Sequence, residues 1–152
     1  MFPIKTVLCP TDFSEPAREA LKIAGELAAQ VGAALLLVHV VPVLPALPSD
    51  PNYVFKVPEY ERLLHNDADE KLAQLVSQMK NGTAVRVLVG HGDVAGEIVR
   101  IAETEKADLI VIATHGTTAW RRFVFGSVAE KVVRLAKCPV LTIRNPQEAA
   151  GT

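Results

Sequence analysis

The stretch Asp108-Leu109-Ile110-Val111-Ile112-Ala113-Thr114-His115-Gly116 decides the fold. Its apolar run, Leu109–Ala113, is too short for a helix and shows no polar alternation. It therefore reads as a strand over 108–113 buried on both faces, and such strands belong to parallel sheets. Similar runs recur on either side. Ile4–Cys9, ended by Pro10, is a first strand, and Ala33–Val41 a second. Ala84–Val89, ended by Gly90, alternates into a third, and Pro139–Ile143 is the last.

Helical periods fill the gaps. Ala17, Ala20, Leu21, Ala24, Leu27, Ala28 and Val31 recur at helical spacing over 15–31, and Gly32 stops them. Tyr60, Leu64, Ala68, Leu72, Leu75 and Met79 mark a second helix, closed by Asn81-Gly82. Val94, Ile98, Ile101 and Ala102 share a face of a third, and Val128, Val132, Leu135 and Ala136 of a fourth. From Pro42 to Pro58 there are five prolines and no period, which reads as a loop. Strands alternating with helical crossovers predict an open, doubly wound α/β fold: a five-stranded parallel sheet with helices on both faces.

Composition agrees. A chain of 152 residues, 49% hydrophobic and 22% charged, suits one domain over 1–145 with a frayed tail over 146–152. The longest apolar runs, Ala33–Val38 and Leu109–Ala113, fall far short of the ~20 residues of a membrane span. The opening residues lack the apolar core of a signal peptide. A net charge of −1 carries no overall nucleic-acid footprint. Cys9 and Cys138 show no CxxC spacing, so free thiols in a reducing cytoplasm are expected.

Doubly wound sheets bind ligands beyond the carboxyl ends of their strands, where the strand order switches. Two loops matter most. After the first strand comes Pro10-Thr11-Asp12-Phe13-Ser14. After the fourth comes Thr114-His115-Gly116, then a connection holding Trp120, Arg121 and Arg122, then Gly126-Ser127 opening the last helix. Glycines before a helix start let backbone N–H groups approach a phosphate. Ser127-Val128-Ala129-Glu130 equally fits a capping box that any helix can use. Asp12 is placed to meet a ribose hydroxyl or a metal, or to cap the first helix with Glu15; Ser14 competes for that cap. His39 ends the second strand and reads as a structural histidine, whereas His115 lies in the glycine loop. His65 and His91 read as surface residues, and the four histidines show no metal spacing. No G-x-x-x-x-G-K-[ST], G-x-G-x-x-G or G-x-S-x-G motif occurs, which sets aside P-loop NTPases, dinucleotide oxidoreductases and α/β-hydrolases.

Five segments, in order, resemble the universal stress proteins: Val7-Leu8-Cys9-Pro10-Thr11-Asp12-Phe13-Ser14, Leu37-Val38-His39-Val40, Ala107 to Gly116, Gly126 to Val133, and Cys138-Pro139-Val140-Leu141. The resemblance implies a strand order of 3-2-1-4-5 and a cytoplasmic homodimer paired through Val140, Leu141, Thr142 and Ile143. One branch of that family binds ATP through G-x-x-G, nine residues, then G-[ST]. In this register Ala113 stands where the first glycine would be, and His115, Gly116, Gly126, Ser127 and Val128 complete the phosphate side. Asp12 would face the ribose, with Pro10, Thr11 and the backbone at Val40 near the nucleoside; magnesium would come with the phosphates. The expected role is a stress-response regulator that binds ATP rather than an enzyme. The alternative is a nucleotide-free dimer acting as an interaction scaffold, and a third reading is a slow ATPase or phosphotransferase.

Overall fold

The computed structural model describes residues 2–43, 57–80, 82–115 and 126–144. Asn81, Gly116, Trp120, Arg121, Arg122, the rest of the connection 117–125, most of the proline-rich loop and the tail 146–152 lie outside them. Among the described residues five strands alternate with four helices: β1 (Thr6–Pro10), α1 (Glu15–Val31), β2 (Ala34–Pro42), α2 (Val57–Gln78), β3 (Val85–Gly92), α3 (Val94–Thr104), β4 (Leu109–Ala113), α4 (Ser127–Leu135) and β5 (Val140–Ile143). All strand pairs are parallel and their order is β3-β2-β1-β4-β5.

Alternation along the strands sorts side chains to two cores. Val7, Cys9, Leu35, Leu37, Leu109 and Val111 face α1 and α2, where Ala20, Ala24, Ala28, Leu72 and Leu75 meet them. Leu8, Leu36, Val38, Val40, Ile110 and Ile112 face α3 and α4, against Ile98, Ile101, Ala129 and Val132. The alanine stripe of α1 lets that helix lie close on the sheet. Cys9 is wholly buried, and burial pushes its thiol up to about 12, so it behaves as a small core hydrophobe. At the amino ends, the Asp108 carboxylate accepts from the N–H groups of Lys5 (2.8 Å) and Thr6 (3.0 Å), tying β1 to β4.

Most strand ends fall within two residues of the sequence expectation, with Pro42 closing β2 rather than opening the loop, and three boundaries are instructive. Helix α2 begins at Val57, so Pro58 lies in its first turn rather than in the loop. A proline there sacrifices no hydrogen bond, because first-turn N–H groups have no intrahelical partner. Strand β3 continues through Gly90 to Gly92 instead of ending at Gly90. Gly90 is a packing glycine: a Cβ there would stand 2.7 Å from Glu97 Cγ and 3.1 Å from Ile101 Cδ1. Strand β1 includes Pro10, which pairs with Val38 at the strand's last position.

Candidate functional site

Strands β1 and β4 are neighbours in register, Val7 with Leu109 and Leu8 with Ile110. Their carboxyl ends therefore emerge side by side, where the chain order reverses. Each end carries a buried threonine. Among the described residues the buried polar side chains are Thr11, 6% exposed, and Thr114, 2% exposed.

Thr11 is fastened on three sides. Its N–H donates to the Val38 carbonyl (2.8 Å), its hydroxyl accepts from Phe13 N–H (3.0 Å), and its carbonyl accepts from His39 Nδ1–H (2.8 Å). The last bond places the His39 proton on Nδ1. Burial lowers the pKa of His39, so the ring is neutral near pH 7, and the structural role expected of it stands. The His39 ring packs 4.5 Å from the Phe13 ring. Phe13 adopts φ +65°, a left-handed conformation that costs a non-glycine residue roughly 1–2 kcal/mol. The contacts around this loop have to offset that cost.

Asp12 is exposed, one residue past Thr11. It does not cap α1. Ser14 is the N-cap, its hydroxyl accepting from Ala17 N–H (3.3 Å). Asp12 Oδ1 accepts instead from Ser14 N–H (3.0 Å) and from the Ser14 hydroxyl. The carboxylate thus directs the Ser14 proton and keeps its lone pair toward the helix. Pro10 and Val40 are buried in β1 and β2, Val40 in register with Gly90.

The β4 side has a different construction. Ala113 pairs with Ile143 as an ordinary strand residue without positive φ. Thr114 donates its N–H to the Ile143 carbonyl (3.0 Å), and its hydroxyl lies 3.1 Å from His115 Nδ1. Its carbonyl accepts from Gly126 N–H. Gly126 is the N-cap of α4, and no side chain caps the helix. The capping box that the sequence equally fits does not form. Helix α4 begins one residue too early for it, putting Ser127 at the first helical position rather than at the cap. The first amide bonded within the helix is that of Glu130, to the Gly126 carbonyl (3.0 Å). The N–H groups of Ser127, Val128 and Ala129 lack intrahelical acceptors, as at any helix start, and carry the positive end of the helix dipole.

Of the residues singled out in the sequence, the fold brings Pro10, Thr11, Asp12, Ala113, His115, Gly126, Ser127 and Val128 to the carboxyl end of β1 and β4, with Val40 one strand away. Gly116 lies outside the described residues. Thr114 was not in that set. What it contributes is a carbonyl, and side-chain identity gives no sign of that. Neither does sequence show that Lys71 of α2 reaches the site, with its ammonium 5.4 Å from the Phe13 ring centroid. His91 is exposed as expected, but His65 is only half-exposed, its ring edge-on to His91 at 5.4 Å.

Residues 3–144 match the model of the universal stress protein family. The chain belongs to that family. This universal stress protein is 35% identical over 147 residues to universal stress protein MJ0531 of Methanocaldococcus jannaschii, covering 95% of this chain and 84% of that one. Among solved structures, it resembles protein MJ0577 with a TM-score of 0.75 and 31% identity over 93% of this chain and 96% of that one. It also resembles a universal stress protein from Archaeoglobus fulgidus, solved in complex with dAMP, with a TM-score of 0.65 and 26% identity over 94% and 99% of the two chains. The strand order implied by the resemblance is the order found.

Proposed function

We propose that this universal stress protein binds an adenine nucleotide, ATP with magnesium, between the carboxyl ends of β1 and β4. In this reading it works by binding, as a stress-response regulatory homodimer in the cytoplasm. One observation carries it: the start of α4 has no side-chain cap and is bonded to the end of β4 at Thr114, beside the Asp12 loop. A helix start of this kind takes phosphate oxygens on its amides. Ser127 and Val128 supply them, Gly126 lets the phosphates approach the cap closely, and Gly116 joins them on sequence grounds. His115 stands beside the phosphates, Asp12 meets the ribose, and Pro10, Thr11 and Val40 line the nucleoside. Magnesium comes with the phosphates, keeping several of its waters. The dAMP complex of the Archaeoglobus relative supports the ligand class. The two free cysteines suit a reducing compartment.

Ala113, where the family motif has glycine, favours a second reading: a nucleotide-free dimer acting as a scaffold. Thermal unfolding of nucleotide-stripped protein separates the two. MgATP at 100 times Kd stabilises a one-site binder by about 2.7 kcal/mol, and a domain of this size gains ~2–4 °C per kcal/mol. A rise of several degrees is expected. An unchanged transition at millimolar MgATP would leave the scaffold reading standing.

A further inference from the structure

The loop that carries Asp12 is gripped from outside the sheet. Phe13 packs against His39 of β2 at 4.5 Å, the rings tilted by 36°. The Lys71 ammonium of α2 lies over the same Phe13 ring, 5.4 Å from its centroid, while pairing with Asp67 at 2.8 Å. His39 in turn holds the Thr11 carbonyl, and Phe13 N–H holds the Thr11 hydroxyl. Lys71, Phe13, His39 and Thr11 are therefore linked contact by contact, and the chain of contacts ends one residue from Asp12. Its Lys71 end is a long side chain, 49% exposed, on a helix whose first turns are open to solvent.

We propose that Lys71 is a positioning residue: through Phe13 and His39 it fixes Thr11 and Asp12 for the ribose end of an adenine nucleotide, so that α2 sets nucleotide affinity. The ligand named here rests on the preceding reading, whereas the grip on the loop does not. A ring filling space would need only an apolar neighbour. An ammonium over the ring face adds an electrostatic attraction that holds its orientation, and Phe13 needs such holding because its backbone sits at φ +65°.

The test compares wild type, Lys71→Met and Lys71→Arg in two measurements. The first is NMR-detected hydrogen exchange of the Phe13 and Ser14 amides in the ligand-free protein. The second is calorimetric titration with MgATP. Lys71→Met is expected to speed exchange at these amides and weaken MgATP binding by about two- to fivefold, the scale of an exposed cation–π contact. Lys71→Arg keeps the cation and is expected to restore both. Asp67→Asn, which removes the other partner of Lys71, leaves the grip in place. Unchanged exchange in Lys71→Met overturns the proposal whatever the nucleotide does. Faster exchange with undiminished MgATP affinity overturns the positioning role. A wild type that binds no nucleotide overturns the preceding reading instead, and the exchange data still decide whether Lys71 holds the loop.

Discussion

The Gly126 amide donates to the Thr114 carbonyl, and a Cβ on Gly126 would stand 3.0 Å from that same oxygen. The N-cap of α4 and the residue that follows β4 are thus in direct backbone contact, and a side chain between them would be crowded. The φ of Gly126 is −57°, so glycine is favoured here by close packing and not by conformation. Gly126→Ala is expected to lower stability by about 1 kcal/mol, the low end for overpacking, and Gly126→Val by more. Both should shrink the melting shift caused by MgATP, because the α4 amides move with the cap. Melting curves with and without MgATP check both effects; an alanine variant with the full shift would contradict them.

Ala113 is a paired strand residue with no left-handed backbone. Its methyl therefore costs the chain nothing in conformation. Ala113→Gly is expected to leave MgATP affinity within about tenfold, or ~1.4 kcal/mol. The unliganded protein should lose roughly 0.5–1 kcal/mol, since glycine gives up more entropy in a strand. Tight binding created in the variant where wild type shows none would place this chain with nucleotide-free members of the family.

Strand β5 is one edge of the sheet, four residues long, with Leu141 40% exposed. Val133 and Leu135 of α4 are also exposed. An apolar edge invites pairing, and a symmetric dimer joining two copies of Val140–Ile143 would cover it. Leu141→Lys is expected to shift sedimentation from dimer toward monomer without altering the far-ultraviolet spectrum. A monomeric wild type at high micromolar concentration would rule out this interface.

Asp93 caps α3, accepting from Gly96 N–H at 2.9 Å, and pairs with Lys131 of α4 at 2.8 Å. The Lys131 ammonium first, and the Gly96 amide second, hold its carboxyl below the usual 3.8. A pKa depressed by folding contributes stability above the unfolded value, which is lost as pH falls through the folded one. Asp93→Asn keeps the cap and removes the charge. Its melting temperature should lie below wild type near neutrality, and the gap should close in acid below 3.8. Melting across that pH range tests this, and a gap independent of pH would refute it.

The strands were legible because β1, β2 and β4 are covered on both faces, which leaves uninterrupted apolar runs. Misreadings came where one residue serves packing rather than punctuation. Gly90 looks like a strand end, yet it is the space that Glu97 and Ile101 need. Pro58 looks like loop, yet a first helical turn tolerates it. At the site, topology points to the two loops, while whether Asp12 and Ser127 cap their helices depends on geometry that the sequence does not carry. A one-residue shift in the α4 start cancels the capping box, and no periodicity resolves one residue. The contact between Lys71 and Phe13 joins distant segments and leaves no local pattern.

The central place of β1 has a consequence for biosynthesis. Of the five strands, β1 comes first in chain order and lies in the middle of the sheet, between β2 and β4. One flank of β1 is covered as soon as β2 emerges. The other waits for β4, whose Asp108 closes on Lys5 across a separation of 103 residues. Until then Val7 and Leu8, both fully buried in the finished protein, border an unpaired edge. A ribosome-bound chain stopped before Leu109 should therefore be sticky and protease-sensitive, and one extended past Ile143 should not.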